Sequence, residues 1–206
     1  MAASTWQGKY WRAFEAYNRS SGSPQTLKFK ASTMPNVQPC EVPTPSFLRK
    51  YKDGLGYADC CVTQVPCAVT QAAFIEAFYT SPLFKIERTL LQVLASKPAT
   101  DADAKALAGG TANRFSAWRV EAQSSSELLL ADFTGRTRSW LMAAPAPLGN
   151  EAPGTLLYFG SAVVPLSRQG AQSMGWLFHA LLGFHRLYSR MLLRAASQRV
   201  RPSNRN

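Results

Sequence analysis

The chain has 206 residues, of which 46% are hydrophobic and 11% aromatic, so it can bury a sizeable core. It carries 23 Lys and Arg against 12 Asp and Glu, and the resulting net charge of +11 is compatible with an anionic partner. No run of about 18 apolar residues occurs, which argues against a transmembrane helix. Polar residues such as Gln7, Lys9 and Arg12 interrupt the start, where a secretory signal would be apolar. We therefore expect a cytoplasmic protein.

The first part of the chain is predicted to be an extension of the main domain. Residues 1–20 carry aromatic side chains spaced like one face of a short helix. Residues 35–46 contain four prolines, which exclude a helix and disfavour a central strand. We accordingly expect an N-terminal extension over residues 1–46, a domain over 47–199 and a basic tail over 200–206.

The domain is predicted to begin with one strand and three helices. LGYADCCVTQV, residues 55–65, is rich in β-branched and aromatic residues and predicts a strand. Residues 70–95 have helical spacing, and Pro82 should divide them into two helices. ATDADAKALAGG, residues 99–110, predicts a short helix that begins at a threonine cap and stops at Gly109-Gly110.

The following section alternates between apolar and polar residues, which is typical of strands. Four segments separated by turn residues fit this pattern: FSAWRVEA at 115–122, LLLADF at 128–133, TRSWLMAA at 137–144 and TLLYFGSAVVP at 155–165. They predict an antiparallel meander. Gly160 inside the last strand suggests a bulge or bend.

One long amphipathic helix is predicted over residues 167–199, with Ser167 as its N-cap. At helical spacing, its apolar side contains Met174, Phe178, Leu181, His185, Tyr188 and Leu192. The opposite side contains Arg168, Arg186, Arg190, Arg194 and Arg201. His185 thus lies close to the centre of the apolar face.

The order of strand, two helices, several strands and a long terminal helix favours an α+β fold, in which a curved antiparallel sheet wraps around the C-terminal helix. At this point the sequence resembles the START-like, helix-grip (SRPBCC) superfamily, and more narrowly an uncharacterised bacterial family within it. The stretches that carry the resemblance are SPLFKIER, FSAWRVE, GRTRSWLM, LYFGSAV and FHRLYSRMLLR, and it covers about residues 55–197. The pattern shows five clear strands, fewer than a full helix-grip sheet, and TLKFKAS at 26–32 is a candidate for another.

The resemblance implies a cavity between the sheet and the C-terminal helix that holds an apolar small molecule, which could be a lipid. His185 would then point into the cavity as a polar anchor. The other candidate ligand-binding residues are Trp118, Trp140, Tyr158, Phe178, Leu181 and Tyr188. Alternation along a strand does not decide which of its residues face inward.

His185 has two alternative roles. It can be a core histidine bonded to a buried acceptor, or a catalytic acid or base of a cyclase or dehydratase, with Asp132 or Glu121 as its partner. No GxSxG, P-loop or GxGxxG motif occurs, and four scattered cysteines with two histidines do not suggest a metal site. The sequence therefore predicts no metal or cofactor and favours a binder over an enzyme.

Arg186, Arg190 and Arg194 form a ridge along the C-terminal helix because they are four residues apart. The simplest interpretation is a solvated helix face. A second is contact with an anionic membrane surface, and nucleic acid ranks third because few basic and aromatic residues interleave on the strands. The sequence says nothing about oligomeric state. Binding or carrying an apolar small molecule is thus the first hypothesis, an enzyme using His185 the second, and an adaptor using this ridge the third.

Overall fold

The computed structural model describes residues 36–54, 57–95, 98–146, 154–164 and 175–201. All of them belong to one unit, residues 32–206. The predicted helix over 1–20, the candidate strand at 26–32, the Ser167 cap and most of the tail from 200 lie outside the described residues. Within the C-terminal helix, side chains are described from Leu187 onward.

Seven strands in the described part of the chain form one antiparallel sheet. They are β1 (Gln38–Pro39), β2 (Tyr57–Val65), β3 (Arg114–Phe115), β4 (Trp118–Gln123), β5 (Glu127–Asp132), β6 (Thr137–Pro145) and β7 (Thr155–Val163). Their order across the sheet is β1-β2-β7-β6-β5-β4-β3. The predicted meander from β4 to β7 is therefore confirmed, and β2 pairs with its last strand. The two strands that the sequence pattern did not reveal, β1 and β3, are only two residues long.

Five helices accompany the sheet among the described residues. They are α1 (Arg49–Lys52), α2 (Gln71–Tyr79), α3 (Pro82–Ala95), α4 (Asp101–Ala108) and α5 (Gly175–Arg199). The predicted division at Pro82 is confirmed. The hydroxyl of Thr70 accepts the Ala73 N–H at 3.2 Å and so caps α2. Thr100 and Asp103 form a reciprocal capping box at the start of α4. The α+β class predicted from the sequence is confirmed.

One face of the sheet, the helix face, packs against α2, α4 and α5. Alternate residues of the central strands, such as Cys61, Leu141 and Phe159, point into this core. An aromatic cluster fills it, with Phe78 at 4.8 Å from Phe159 and Tyr79 at 5.0 Å from Phe115 between ring centroids. Leu192, Leu193 and Ala196 bring the last turns of α5 onto the same cluster.

The opposite face, the outer face, is covered by the segment that contains α1. Leu48 is fully buried there. Glu127 holds this segment down, because one of its oxygens, Oε2, accepts the Phe47 backbone N–H at 2.7 Å and the Trp140 indole N–H at 2.8 Å. Glu121 adds a second attachment through the ammonium group of Lys50 at 2.7 Å.

Gly160 is not at a bulge, in contrast to the expectation from the sequence. It pairs in unbroken register with Cys60 on one side and Trp140 on the other. A methyl group added at Gly160 would lie 2.5 Å from Cδ2 of Leu48 and 2.9 Å from the backbone oxygen of Asp59. Glycine is thus required by the close approach of the α1 segment, whereas the register shift of the sheet lies in β4 between Val120 and Ala122.

The stretch before residue 47 contributes an edge strand to the sheet. Gln38 and Pro39 of β1 pair with Val62 and Cys61 of β2. Proline lacks a backbone donor and is tolerated at an edge, which agrees with the expectation that this stretch forms no central strand. The predicted domain boundary near residue 47 itself stays a prediction.

Candidate functional site

A cleft of about 370 Å³ lies at the edge of the sheet, between β2 and the last turns of α5. Most of its walls come from the segment that begins in β1, the first half of β2 and α5, and α1 and β7 contribute one residue each. The lining residues are Pro39, Cys40, Glu41, Val42, Lys52, Tyr57, Ala58, Asp59, Cys60, Cys61, Phe159, Ser189 and Arg190. We call this site the edge cleft.

The edge cleft exists because β1 is too short to cover β2. The last backbone bond between the two strands runs from the Cys40 N–H to the Cys60 carbonyl at 3.0 Å. In the part of the chain that the structure describes, no strand pairs with residues 57–59 on that side. An uncovered strand edge next to a helix leaves room for a ligand.

Ser189 and Arg190 form the helical wall of the edge cleft. Ser189 is only 6% exposed, and its hydroxyl has no hydrogen-bond partner among the described residues. A buried hydroxyl without a partner is rare and usually has a reason, such as a ligand. The neighbouring guanidinium group of Arg190 is exposed and forms no ion pair with any described residue. Ser189, with a buried hydroxyl that lacks a partner, and the exposed Arg190 are therefore neighbours in the lining of one cleft.

The strand wall carries an acidic group that is already hydrogen-bonded. Asp59 accepts a bond from the Ser161 hydroxyl at 2.6 Å and a longer one from the Tyr57 hydroxyl at 3.4 Å. All three side chains lie on the helix face, in register on β2 and β7. These bonds fix the position of the Asp59 carboxylate at the side of the cleft.

Two thiols meet at the corner where β1 ends. Cys40 Sγ lies 3.2 Å from Cys60 Sγ. Burial and the hydrogen bond with Cys40 raise the pKa of the Cys60 thiol well above its ordinary value. Cys61 points to the other face of β2, where its thiol donates to the Phe159 carbonyl, and burial raises its pKa too. Cys60 and Cys61 thus face opposite ways, as alternation along a strand requires.

The predicted ligand-binding residues do not share one site. Trp118 and Tyr188 are half-buried and pack against the core of the helix face. Trp140 and Tyr158 lie on the outer face, with ring centroids 6.3 Å apart, and so do not border a space between the sheet and α5. The register of β6 and β7 therefore corrects the prediction that Trp140 and Tyr158 line a cavity between the sheet and the C-terminal helix. The side chains of His185, Phe178, Leu181 and Arg186 lie outside those described, although all four positions belong to α5.

The two carboxylates considered as partners of His185 have other contacts. Asp132 accepts the backbone N–H groups of Arg136 and Thr137 at 2.8 and 3.0 Å within its own turn. Burial raises the pKa of this carboxyl, but these bonds and one from the Thr134 hydroxyl outweigh it and lower the pKa overall.

Glu121 lies among cations beside the α1 segment. Its carboxylate contacts Arg138 at 2.5 Å, Lys50 and the Tyr51 hydroxyl. Burial raises its pKa, yet the bonds from Lys50 and Tyr51 and the charge of Arg138 lower it overall. Both carboxylates are therefore held ionised in hydrogen-bonded positions, which suits a structural role better than proton transfer.

Among the described residues, no group of three or more His, Cys, Asp and Glu side chains is arranged to hold a metal ion. In the same part of the chain, no helix is long and apolar enough to cross a membrane.

Comparison with known proteins finds no matching family model, no matching curated protein and no matching solved structure. The helix-grip resemblance therefore stays a prediction, and the edge cleft is interpreted from its own residues.

The sequence analysis did not single out the residues that form the edge cleft, apart from Arg190. Helical spacing could have identified Ser189 as an inward-facing residue, because it lies three, four and seven residues before the buried Leu192, Leu193 and Ala196. The buried side of α5 is thus centred closer to Ser189 than to Tyr188, which the sequence analysis placed on the apolar side. Cys40 and Asp59 gave no such signal, since their importance depends on pairing between distant segments.

Proposed function

We propose that this protein binds a small, largely apolar molecule with an anionic head group in the edge cleft, without performing chemistry on it. The observation that carries the proposal is the unpaired, buried Ser189 hydroxyl next to the unpaired Arg190 guanidinium. An anion such as a carboxylate would accept hydrogen bonds from both groups. Such a head group would satisfy the one buried donor of this wall that lacks a partner.

The rest of the cleft supports an apolar body for the ligand. Val42, Ala58 and Phe159 contribute hydrocarbon surface, and protonated thiols behave as small apolar groups. A volume of about 370 Å³ lies within the range of small-molecule sites, which combine apolar walls with a few polar groups.

The proposal is tested with anilinonaphthalene sulfonate, a fluorescent probe that joins apolar rings to one anionic group. Titration into the wild-type protein should give saturable binding. Arg190→Gln should weaken it about tenfold, because a hydrogen bond to a charged group is lost. Ser189→Ala should weaken it by a smaller factor. Arg194→Gln is the matched control, since it removes the same charge one helical turn away and outside the cleft lining.

Equal weakening by Arg190→Gln and Arg194→Gln would contradict the proposal, because it would indicate general attraction to a basic surface. Native mass spectrometry of the purified protein, followed by organic extraction, would identify a natural ligand that remains bound. A stoichiometric anionic, apolar molecule is the expected result.

A second candidate function is contact with an anionic membrane surface. Leu187 and Met191 are 58% and 48% exposed on α5, beside the exposed Arg190 and Arg194. Exposed apolar and basic side chains on one helix suit the interface of an anionic bilayer. Binding to phosphatidylserine vesicles should then fall equally in both arginine variants and should weaken with added salt.

We also propose that the fold is a variant of the helix grip. The antiparallel order of the seven strands and the C-terminal helix on one face support this assignment. The edge cleft would then be a lateral opening between the grip and its helix, with His185 about one turn before Ser189 along α5.

A further inference from the structure

Cys40, which directly follows β1, and Cys60 of the neighbouring antiparallel strand β2 form a close pair. Their sulfur atoms are 3.2 Å apart, and the backbone bond from Cys40 to Cys60 places the two residues opposite each other. Residues paired in this way have Cα atoms about 5.5 Å apart, within the range that a disulfide spans. The sulfur atoms need to approach by only about 1 Å to reach bonding distance.

The strand geometry selects this pair from the four cysteines. Cys60 and Cys61 are adjacent, but alternation directs Cys60 toward Cys40 and Cys61 into the core. Cys67 contacts the Val200 carbonyl at the far end of β2. Cys40 is half-buried and lines the edge cleft, so a small molecule can reach it from solvent, whereas Cys60 is buried behind it.

We propose that Cys40 and Cys60 are a dithiol site that is oxidised to a disulfide by small-molecule disulfides such as oxidised glutathione. The inference does not depend on the ligand proposed above. It assigns different parts to the two thiols: Cys40 reacts first because it is accessible, and Cys60 completes the reaction from the interior.

The reaction consists of two thiol–disulfide exchanges. The Cys40 thiol loses its proton and its sulfur attacks one sulfur of oxidised glutathione, which breaks the glutathione S–S bond and releases one glutathione. Cys60 then loses its proton and attacks the Cys40 sulfur, displacing the second glutathione. In total, two protein thiols are oxidised, one glutathione disulfide is reduced, and the two protons pass to the two glutathione molecules. Burial raises the pKa of Cys60, which is consistent with its acting second.

Oxidation would connect the segment that follows β1 covalently to β2 at the corner of the edge cleft. The segment after β1 supplies Glu41 and Val42 to the cleft wall, and β1 itself makes only two residue pairs with β2. A covalent bond at Cys40 would therefore fix a wall that is otherwise held by few backbone bonds.

The experiment incubates the full chain with oxidised glutathione, blocks the remaining thiols with N-ethylmaleimide, and maps the peptides by mass spectrometry. Wild-type protein should lose two reactive thiols and give one crosslinked peptide pair that contains Cys40 and Cys60. Dithiothreitol should restore both thiols. In Cys60→Ser, the crosslink should be replaced by a glutathione adduct that persists on Cys40. Cys67→Ser is the matched control and should still form the crosslink.

Three results would overturn the inference: a persistent glutathione adduct on Cys40 of the wild-type protein, a crosslink that includes Cys61 or Cys67, or four thiols that all remain reduced. Because the crosslink is mapped in the wild-type protein, its detection does not depend on whether a variant folds.

Discussion

Glu127 illustrates how a single buried carboxylate can hold a segment of chain on a sheet. One of its oxygens accepts two N–H groups, from the indole of the fully buried Trp140 and from the backbone of Phe47. Burial raises the pKa of the carboxyl above its ordinary value of 4.5, although the two bonds partly oppose the shift. The protonated form of Glu127 is therefore more favoured in the folded protein than in the unfolded chain.

The pH dependence of stability follows from this direction. A pKa that is higher in the folded than in the unfolded protein gives stability that is fully present below the unfolded value of 4.5 and is lost as the pH rises through the folded value. Glu127→Gln keeps an oxygen for both donors and removes this titration. We expect the free energy of unfolding of this variant, measured with urea, to increase relative to that of the wild type as the pH rises from about 4 to about 8, a range that begins near the ordinary carboxyl pKa and extends above it.

Glu127→Leu separates the hydrogen bonds from the charge. The indole N–H of Trp140 would be left buried without an acceptor, which costs about 1 to 3 kcal/mol. We expect Glu127→Leu to be less stable than Glu127→Gln at every pH in the urea measurement. Equal stability of the two variants would show that the hydrogen bonds to the side chain at position 127 contribute nothing to the free energy of unfolding.

At the scale of elements, the α1 segment and the sheet meet at Gly160. Leu48 occupies the space that a side chain at this position would need, at 2.5 Å from the added carbon. Gly160→Ala should therefore destabilise the protein by about 1 to 3 kcal/mol, since the packed segment must shift. The measurement is the urea midpoint at neutral pH.

Gly109→Ala is the control for this substitution. Its added carbon would find its nearest neighbour at 3.4 Å, an ordinary contact distance. A change within about 0.5 kcal/mol is expected there. In a Leu48→Ala background, Gly160→Ala should cost less than it does in the wild-type protein, but it should still destabilise, because the backbone oxygen of Asp59 would lie 2.9 Å from the new methyl group. No cost in that background would contradict the backbone contribution.

At the scale of the whole molecule, periodicity in the sequence predicted the class of the fold and, among the described residues, every strand longer than two residues. It did so because alternation and helical spacing are local properties of the chain. The edge cleft could not be predicted in this way. Asp59 and Ser161 are 102 residues apart in sequence, and Cys40 meets Cys60 only through a two-residue strand. The face of each strand likewise depends on what covers it, which is why alternation in the sequence could not show that Trp140 and Tyr158 lie on the outer face.

The proposed disulfide also predicts a change in the stability of the whole protein. A crosslink between Cys40 and Cys60 closes a loop of 20 residues in the unfolded chain. Loss of that loop's freedom would stabilise the folded state by about 3 kcal/mol in the chain-entropy model, and strain in the native bond would reduce this value. For a protein of this size, about 1 kcal/mol raises the melting temperature by roughly 2 to 4 °C.

We therefore expect wild-type protein oxidised with glutathione disulfide to melt about 5 °C higher than the reduced protein, since the entropic gain should exceed the strain in an already close pair. Differential scanning calorimetry of both forms measures the difference. Cys40→Ser should melt at the same temperature after either treatment, because it has no partner for Cys60. A lower melting temperature of the oxidised wild type would mean that bond formation distorts β1 and β2, and that the pair is poised to favour the reduced state.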